Sequence, residues 1–224
     1  MDHSPMKPAQ TILFIGDSIT DSGRTQNDGA PLGRGYVQLF ADLLTLRKPQ
    51  EEFRIINKGI DCNTIAHLLS RWSDDVIENA PDVVYILIGI NDATRHLDQS
   101  RSLHRAPDDF AAVYRRLVEE TRKRLPHASI ILMEPFFISK GDDIEGSYRQ
   151  RLIVLLQDYI AATRSVAAAC HTGLIKLSEI FTHLVAQRNS AFFSEDKIHP
   201  TSAGHLAIAE AAYRALPHGR NRHV

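Results

Sequence analysis

Four short clusters in the chain combine residue types that carry nucleophilic chemistry. Gly16-Asp17-Ser18-Ile19-Thr20 directly follows an apolar run, Thr11 to Ile15, so Ser18 falls on a turn from strand to helix with its hydroxyl facing the ligand edge. Asn57-Lys58-Gly59-Ile60 closes a second apolar run. A glycine there lets the backbone approach a substrate and present an N–H to a developing oxyanion. Gly89-Ile90-Asn91-Asp92 closes a third run, and the Asn91 side-chain amide is a donor suited to the same point. Near the C-terminus, Ser194-Glu195-Asp196-Lys197-Ile198-His199-Pro200 sets a carboxylate three residues before a histidine. In a helical turn those two share a face. Asp196 would then bond the imidazole directly, or hold its loop, so that Nε2 is free to accept a proton from Ser18.

Each cluster alone has a plainer reading. Ser18 could simply cap a helix, Gly59 could be a turn glycine, Asn91 could form an Asx-turn, and Asp196 with His199 could be a surface pair in a chain with 11 histidines. Their order and place separate them from those readings. They fall at strand ends or in the last loop as Ser, Gly, Asn, then Asp with His. A serine, a base with an orienting carboxylate, and two kinds of oxyanion donor together make up the apparatus of acyl transfer.

The elements that must position these residues are legible as alternating patterns. Candidate strands are Thr11 to Ile15, Phe53 to Ile56, Val83 to Ile88, Ser129 to Met133 and Gly173 to Leu177. Apolar residues three or four apart predict helices through Tyr36 to Leu44, Ile65 to Val76, Phe110 to Thr121, Leu152 to Ile160 and Leu206 to Leu216. Asn63 and Asp108 are placed as N-caps of the second and third. Buried strands alternating with helices predict an α/β fold with a mostly parallel five-stranded sheet covered on both faces. Polar connections at Gly23 to Gly35, Asp92 to Pro107 and Glu134 to Ser147 follow strands, at the carboxyl edge where open α/β sheets bind ligands. No repeat or linker divides residues 11–217, read as one domain between disordered tails at 1–10 and 218–224.

Composition narrows the partners. The 26 Lys plus Arg nearly balance 27 Asp plus Glu, which argues against nucleic acid or an anionic membrane surface. Cys62 and Cys170 form neither a disulfide framework nor a zinc-binding cluster. The N-terminus lacks a signal peptide's basic start and apolar stretch, and no run approaches the roughly 18 uninterrupted apolar residues of a membrane span. The expectation is a soluble, cytoplasmic protein acting on a small molecule, with self-association left open.

The four clusters resemble the four blocks of the SGNH (GDSL-type) hydrolase family, named for its Ser, Gly, Asn and His, matched here to Ser18, Gly59, Asn91 and His199. The similarity runs through ILFIGDSITDSGR, RGYVQLFADLL, INKGIDCNT, LLSRWSDDVI, ILIGINDATR, ILMEPFF and DKIHPTSAGH, and is nearest the branch containing bacterial intracellular acetylxylan esterases. The resemblance implies a flavodoxin-like three-layer α/β/α sandwich and no metal or organic cofactor. It also implies a serine esterase with catalytic Ser18, Asp196 and His199 and an oxyanion hole from Ser18, Gly59 and Asn91. Its implied substrates are acetyl esters of carbohydrates such as acetylated xylo-oligosaccharides.

This chain departs from that branch in two places. Asp61 and Cys62 stand where Ser and Gly are often found, and Ala93-Thr94-Arg95 where Val-Trp-Arg is often found. Asp17, Arg95 and Trp72 are the further candidates for substrate contact, although Trp72 also continues the apolar face of its helix. Cys62 is a competing nucleophile for which no base is evident. His67, His96, His104, His127, His171 and His183 are read as surface or packing residues, and His205 as a helix-surface residue. The same constellation would also suit a lysophospholipase or thioesterase, given a long acyl groove. A flavodoxin-like binding module of no catalytic activity would have no use for Asp196 and His199.

Overall fold

The five apolar runs become five parallel strands in a computed structural model that describes residues 9–26, 29–98, 106–141 and 144–217. They are β1 (Gln10–Gly16), β2 (Phe53–Gly59), β3 (Val83–Leu87), β4 (Ser129–Met133) and β5 (Gly173–Ile175). The sheet order is β2-β1-β3-β4-β5, with every neighbouring pair parallel. Order reverses between β1 and β3, which leaves a crevice outside their carboxyl ends. Ser18 and Asn91 follow those two ends.

Among the described residues, eight α-helices accompany the sheet: α1 (Ser18–Asp21), α2 (Tyr36–Arg47), α3 (Ile65–Trp72), α4 (Ile90–Asp98), α5 (Pro107–Arg124), α6 (Tyr148–Ala169), α7 (Leu177–Gln187) and α8 (Ser202–Ala215). The expected flavodoxin-like sandwich is what forms. Helices α2 and α8 pack together over β1 and β3, where Phe14 stacks on its register partner Tyr85 at 4.6 Å and the Tyr85 hydroxyl donates to the Ala212 carbonyl. Helices α3, α5 and α6 form the second layer, into which the Tyr114 hydroxyl donates to the Ile86 carbonyl of β3. By length and composition α6 could cross a membrane. It instead lays Leu152, Leu156, Tyr159, Ile160 and Val166 into the core.

Several boundaries differ from the sequence expectations. β5 stops at Ile175 because Leu177 starts α7, whose Leu177, Phe181 and Val185 recur at helical spacing and are buried. Thr64, not Asn63, caps α3, through a reciprocal box with His67. Ala106 precedes α5, with Pro107 at the first helical position and Asp108 inside the first turn, where its charge meets the positive helix end. The stretch from Asp92 to Pro107, expected as loop, begins inside α4, and residues 99–105, with His104, lie outside the described residues. Gln10 belongs to β1. The rest of the expected tails, at 1–8 and 218–224, also lies outside the described residues.

Candidate active site

β1 runs without a spacer into α1. A Cβ on Gly16 would sit 2.3 Å from the Leu87 carbonyl oxygen and 2.4 Å from Thr20 Oγ1, so only glycine permits this turn. Asp17 closes it as the N-cap of α1, its Oδ1 accepting from the Ile19 N–H at 3.0 Å. Ser18 is then the first helical residue, and its own N–H has no partner among the described residues.

The Ser18 hydroxyl lies 3.0 Å from His199 Nε2, and His199 Nδ1 lies 2.6 Å from Asp196 Oδ2. The loop between them is not a helical turn. Asp196 Oδ1 accepts from the backbone N–H groups of Ile198 at 2.9 Å and His199 at 2.8 Å, while Lys197 takes a left-handed φ of 77° and a Ser194–Pro200 bridge closes the base. Asp196 therefore bonds the imidazole and holds the loop at once. Partial burial raises its carboxyl, but the bonds from the His199 ring and from the two backbone N–H groups outweigh that and bring it down to about 2. It is charged throughout the neutral range, ready to balance an imidazolium.

Asn91 stands in the first turn of α4, and its Nδ2 donates to the Asn63 carbonyl at 3.1 Å. The amide carries a second proton, with no partner among the described residues.

A sequence profile of the GDSL-like lipase/acylhydrolase family matches residues 14–207. The chain belongs to this family. It is 35% identical over 213 residues to an acetylxylan esterase of Geobacillus stearothermophilus, spanning 92% of this chain and 94% of that one. The crystal structure of an acetylxylan esterase from the same organism superposes with a TM-score of 0.81 at 34% identity, covering 97% of this chain and 100% of the other. An α/β hydrolase from the metagenome of Lake Arreo, Spain, gives 0.81 at 31% identity, over 92% and 94% of the two chains. Solved variants of the Geobacillus enzyme that replace a serine, a histidine or an aspartate by alanine are described as catalytic mutants. This GDSL-family protein is a carboxylic ester hydrolase.

Gly59 does not serve this hydrolase as a donor. Its N–H donates to Asn57 Oδ1 at 2.8 Å, its carbonyl accepts from Arg24, and a Cβ there would lie 2.1 Å from the Asp21 nitrogen. The glycine is needed so that α1 can lie against the end of β2. The next backbone groups are also committed: Ile60 N–H to Gly16, Asn63 N–H to Ile60, Thr64 N–H to His67 and Ile65 N–H to Asp92. From 59 to 65, only the N–H groups of Asp61 and Cys62 are without a partner among the described residues. Cys62 is exposed, with a left-handed φ of 60°, and its carbonyl accepts from Arg95 Nη2 at 2.8 Å.

Two of the three substrate-contact candidates are corrected by burial. Trp72 is 1% exposed and donates its indole N–H to Thr121 Oγ1, joining α3 to α5. Asp17 is also 1% exposed, with Oδ2 unpartnered among the described residues. Burial pushes its carboxyl up to about 7, against the Ile19 bond and the His199 charge. Arg95 alone of the three reaches the rim. His205 is likewise buried rather than on the surface. Its Nδ1 accepts from the Tyr36 N–H, and burial lowers its pKa to about 4. Among the described residues, no group of three or more His, Cys, Asp or Glu is placed to hold a metal.

Asp92, not singled out by the sequence, ties α3 to α4. Both its oxygens face the Ile65 N–H, at 3.2 and 3.1 Å, which fixes the start of α3 against α4. Burial, reinforced by nearby Asp17 and opposed by the Ile65 bond, pushes its carboxyl up to about 8. A carboxyl with a higher folded than unfolded pKa holds its proton more tightly in the native state. The stability it contributes is complete below its unfolded value, about 3.9, and is lost as pH rises through 8. Asp92→Asn keeps an acceptor for Ile65 and removes the ionisation. Its Tm advantage over wild type is expected to widen by several degrees between about pH 5 and pH 9, at roughly 2–4 °C per kcal/mol for a chain of this size. Parallel Tm curves in thermal unfolding would contradict this.

Proposed function

We propose that this esterase removes small acyl groups, acetyl foremost, from carbohydrates such as acetylated xylo-oligosaccharides, through an acyl-enzyme on Ser18. The observation that carries the reading is the continuous chain of bonds from Ser18 to His199 to Asp196, at 3.0 and 2.6 Å. His199 takes the Ser18 proton as the hydroxyl attacks the ester carbonyl, then delivers it to the leaving alcohol, while Asp196 balances the imidazolium. Water, activated by the same imidazole, releases the acid and regenerates Ser18.

The oxyanion meets donors from three segments. They are the Ser18 N–H, which has no partner among the described residues, the second proton of Asn91 Nδ2, and a backbone N–H of the Asp61–Cys62 turn in place of Gly59. Cys62 N–H suits this role because its neighbour Asn63 is held by Asn91. Support for the acetylated sugar comes from the 35% identity to an acetylxylan esterase over nearly the full length of both chains.

A substrate panel tests the reading. Wild type and Ser18→Ala would be assayed in parallel on acetylated xylo-oligosaccharides, p-nitrophenyl acetate and p-nitrophenyl octanoate. Turnover of the acetyl esters is expected, with kcat/KM for acetate at least about tenfold above octanoate, the effect of some 1.4 kcal/mol of transition-state binding. A preference for octanoate would replace the deacetylase by a lipolytic enzyme.

A further inference from the structure

One side chain ties the ends of β1 and β2 together behind the site. Arg71, on α3, donates from Nη2 to the Gly16 carbonyl at 3.1 Å, from Nη1 to the Lys58 carbonyl at 2.8 Å, and from Nε to Asn63 Oδ1 at 2.9 Å. Gly16 is two residues before Ser18, Lys58 ends the approach to the Gly59 turn, and Asn63 follows Cys62. The Gly16 carbonyl also accepts from the Ile60 N–H, so strand end and turn converge on one oxygen. The Asn63 carbonyl, in turn, is the acceptor for Asn91 Nδ2. A single planar guanidinium thus bonds the segments that carry two of the proposed oxyanion donors and, through Asn63, reaches the third.

Its charge is balanced on the far side. Asp75 accepts from Arg71 Nη1 at 2.5 Å and from Lys58 Nζ at 2.9 Å. Asp75 lies in a π-helical turn, Ser73–Ile77, that continues α3. Only a rigid fork can hold three separate acceptors at fixed mutual distances while remaining paired, and an ammonium on a flexible stem cannot.

We infer that Arg71 is a positioning residue that sets the spacing between Ser18, the Asp61–Cys62 turn and Asn91, and thereby the dimensions of the oxyanion hole. This rests on the donor set proposed above. All three Arg71 nitrogens are engaged by protein acceptors, so ground-state binding should be largely unchanged when it is altered, while transition-state stabilisation falls.

The test is a double-mutant cycle between Arg71→Lys and Asn91→Ala on p-nitrophenyl acetate. Arg71→Lys is expected to lower kcat roughly 10- to 100-fold, the scale of a misplacement near 1 Å, with KM within about threefold. In the Asn91→Ala background the same change should cost at least about threefold less, because one of the donors whose spacing it sets is already gone. Should the lysine variant not fold, Arg71→Ala with added guanidinium takes its place, and kcat should recover with guanidinium only when Asn91 is present. Equal factors in both backgrounds, recovery independent of Asn91, or unchanged kcat in Arg71→Lys would overturn the inference alone. Unchanged kcat in Asn91→Ala would instead remove the oxyanion-hole reading on which it stands.

Discussion

Ser18→Ala is expected to lower kcat on p-nitrophenyl acetate by on the order of a millionfold, the loss seen when a triad nucleophile is deleted elsewhere. The expectation follows from geometry. Among the described residues, only the Ser18 hydroxyl lies within 3.0 Å of His199 Nε2, and the imidazole is already turned toward it by the 2.6 Å contact with Asp196. His199→Ala should cost a similar factor, and the double variant hardly more, because nucleophile and base act as one unit. Asp196→Asn should lose roughly 10⁴-fold, since an amide retains an acceptor for the loop but cannot balance an imidazolium. A fluorophosphonate probe would label wild type at Ser18 and leave Ser18→Ala unlabelled. Cys62→Ser should keep its turnover. Full activity in Ser18→Ala, with loss in Cys62→Ser, would transfer the nucleophile to the cysteine.

The fold was legible where burial writes itself into composition. A parallel strand covered on both faces needs apolar residues throughout, and ILFI, VVYIL and IILM are just such runs, with every residue of β3 buried. Elements at the carboxyl edge were harder. α1 is four residues long and too short to show a helical period, and α4 opens on Asn91 and Asp92, side chains that reach for partners rather than pack. Leu177 illustrates the opposite failure. It is apolar and next to a strand, yet its burial belongs to α7.

Within the site, residue type conveyed chemistry but not prior commitments. Ser18, Asp196 and His199 were readable because the chemistry proposed for them needs particular side chains, and the structure brings all three within hydrogen-bond distance. A glycine at position 59 signals close approach. It does approach closely, but to the backbone of α1, with its N–H already donated to Asn57. The free N–H groups sit two and three residues on, and a cysteine at φ 60° gives no local sign of a left-handed turn, since glycine is the residue that ordinarily signals one. Trp72 and Asp17 failed as substrate contacts for a related reason: neighbourhood in sequence places a residue near the sheet edge, while the helix face or cap role decides whether it sees solvent. Arg71 had no signal beyond its match to a family block, because its acceptors are carbonyls and an amide drawn from three separate segments.

Asn91→Ala is expected to reduce kcat for an acetyl ester roughly 100- to 1,000-fold, equivalent to about 2.7–4 kcal/mol of transition-state stabilisation, the range for removing one oxyanion donor. The side chain has two proposed functions, and the variant removes both. One Nδ2 proton holds the Asn63 carbonyl at 3.1 Å, and the other faces no described group and is available to substrate. The turn retains its anchors on Arg95 and Arg71, so the larger part of the loss should come from the missing donor rather than from a displaced backbone. Asn91→Asp separates the two contributions further. A carboxylate cannot donate and carries the same sign as the oxyanion, so its kcat should fall below that of the alanine variant, and should recover partly as the carboxyl is protonated at low pH. Because an ester's ground-state carbonyl gains little from the hole, KM should move far less than kcat in either variant. A change confined to KM would mean that Asn91 binds substrate without stabilising the tetrahedral intermediate.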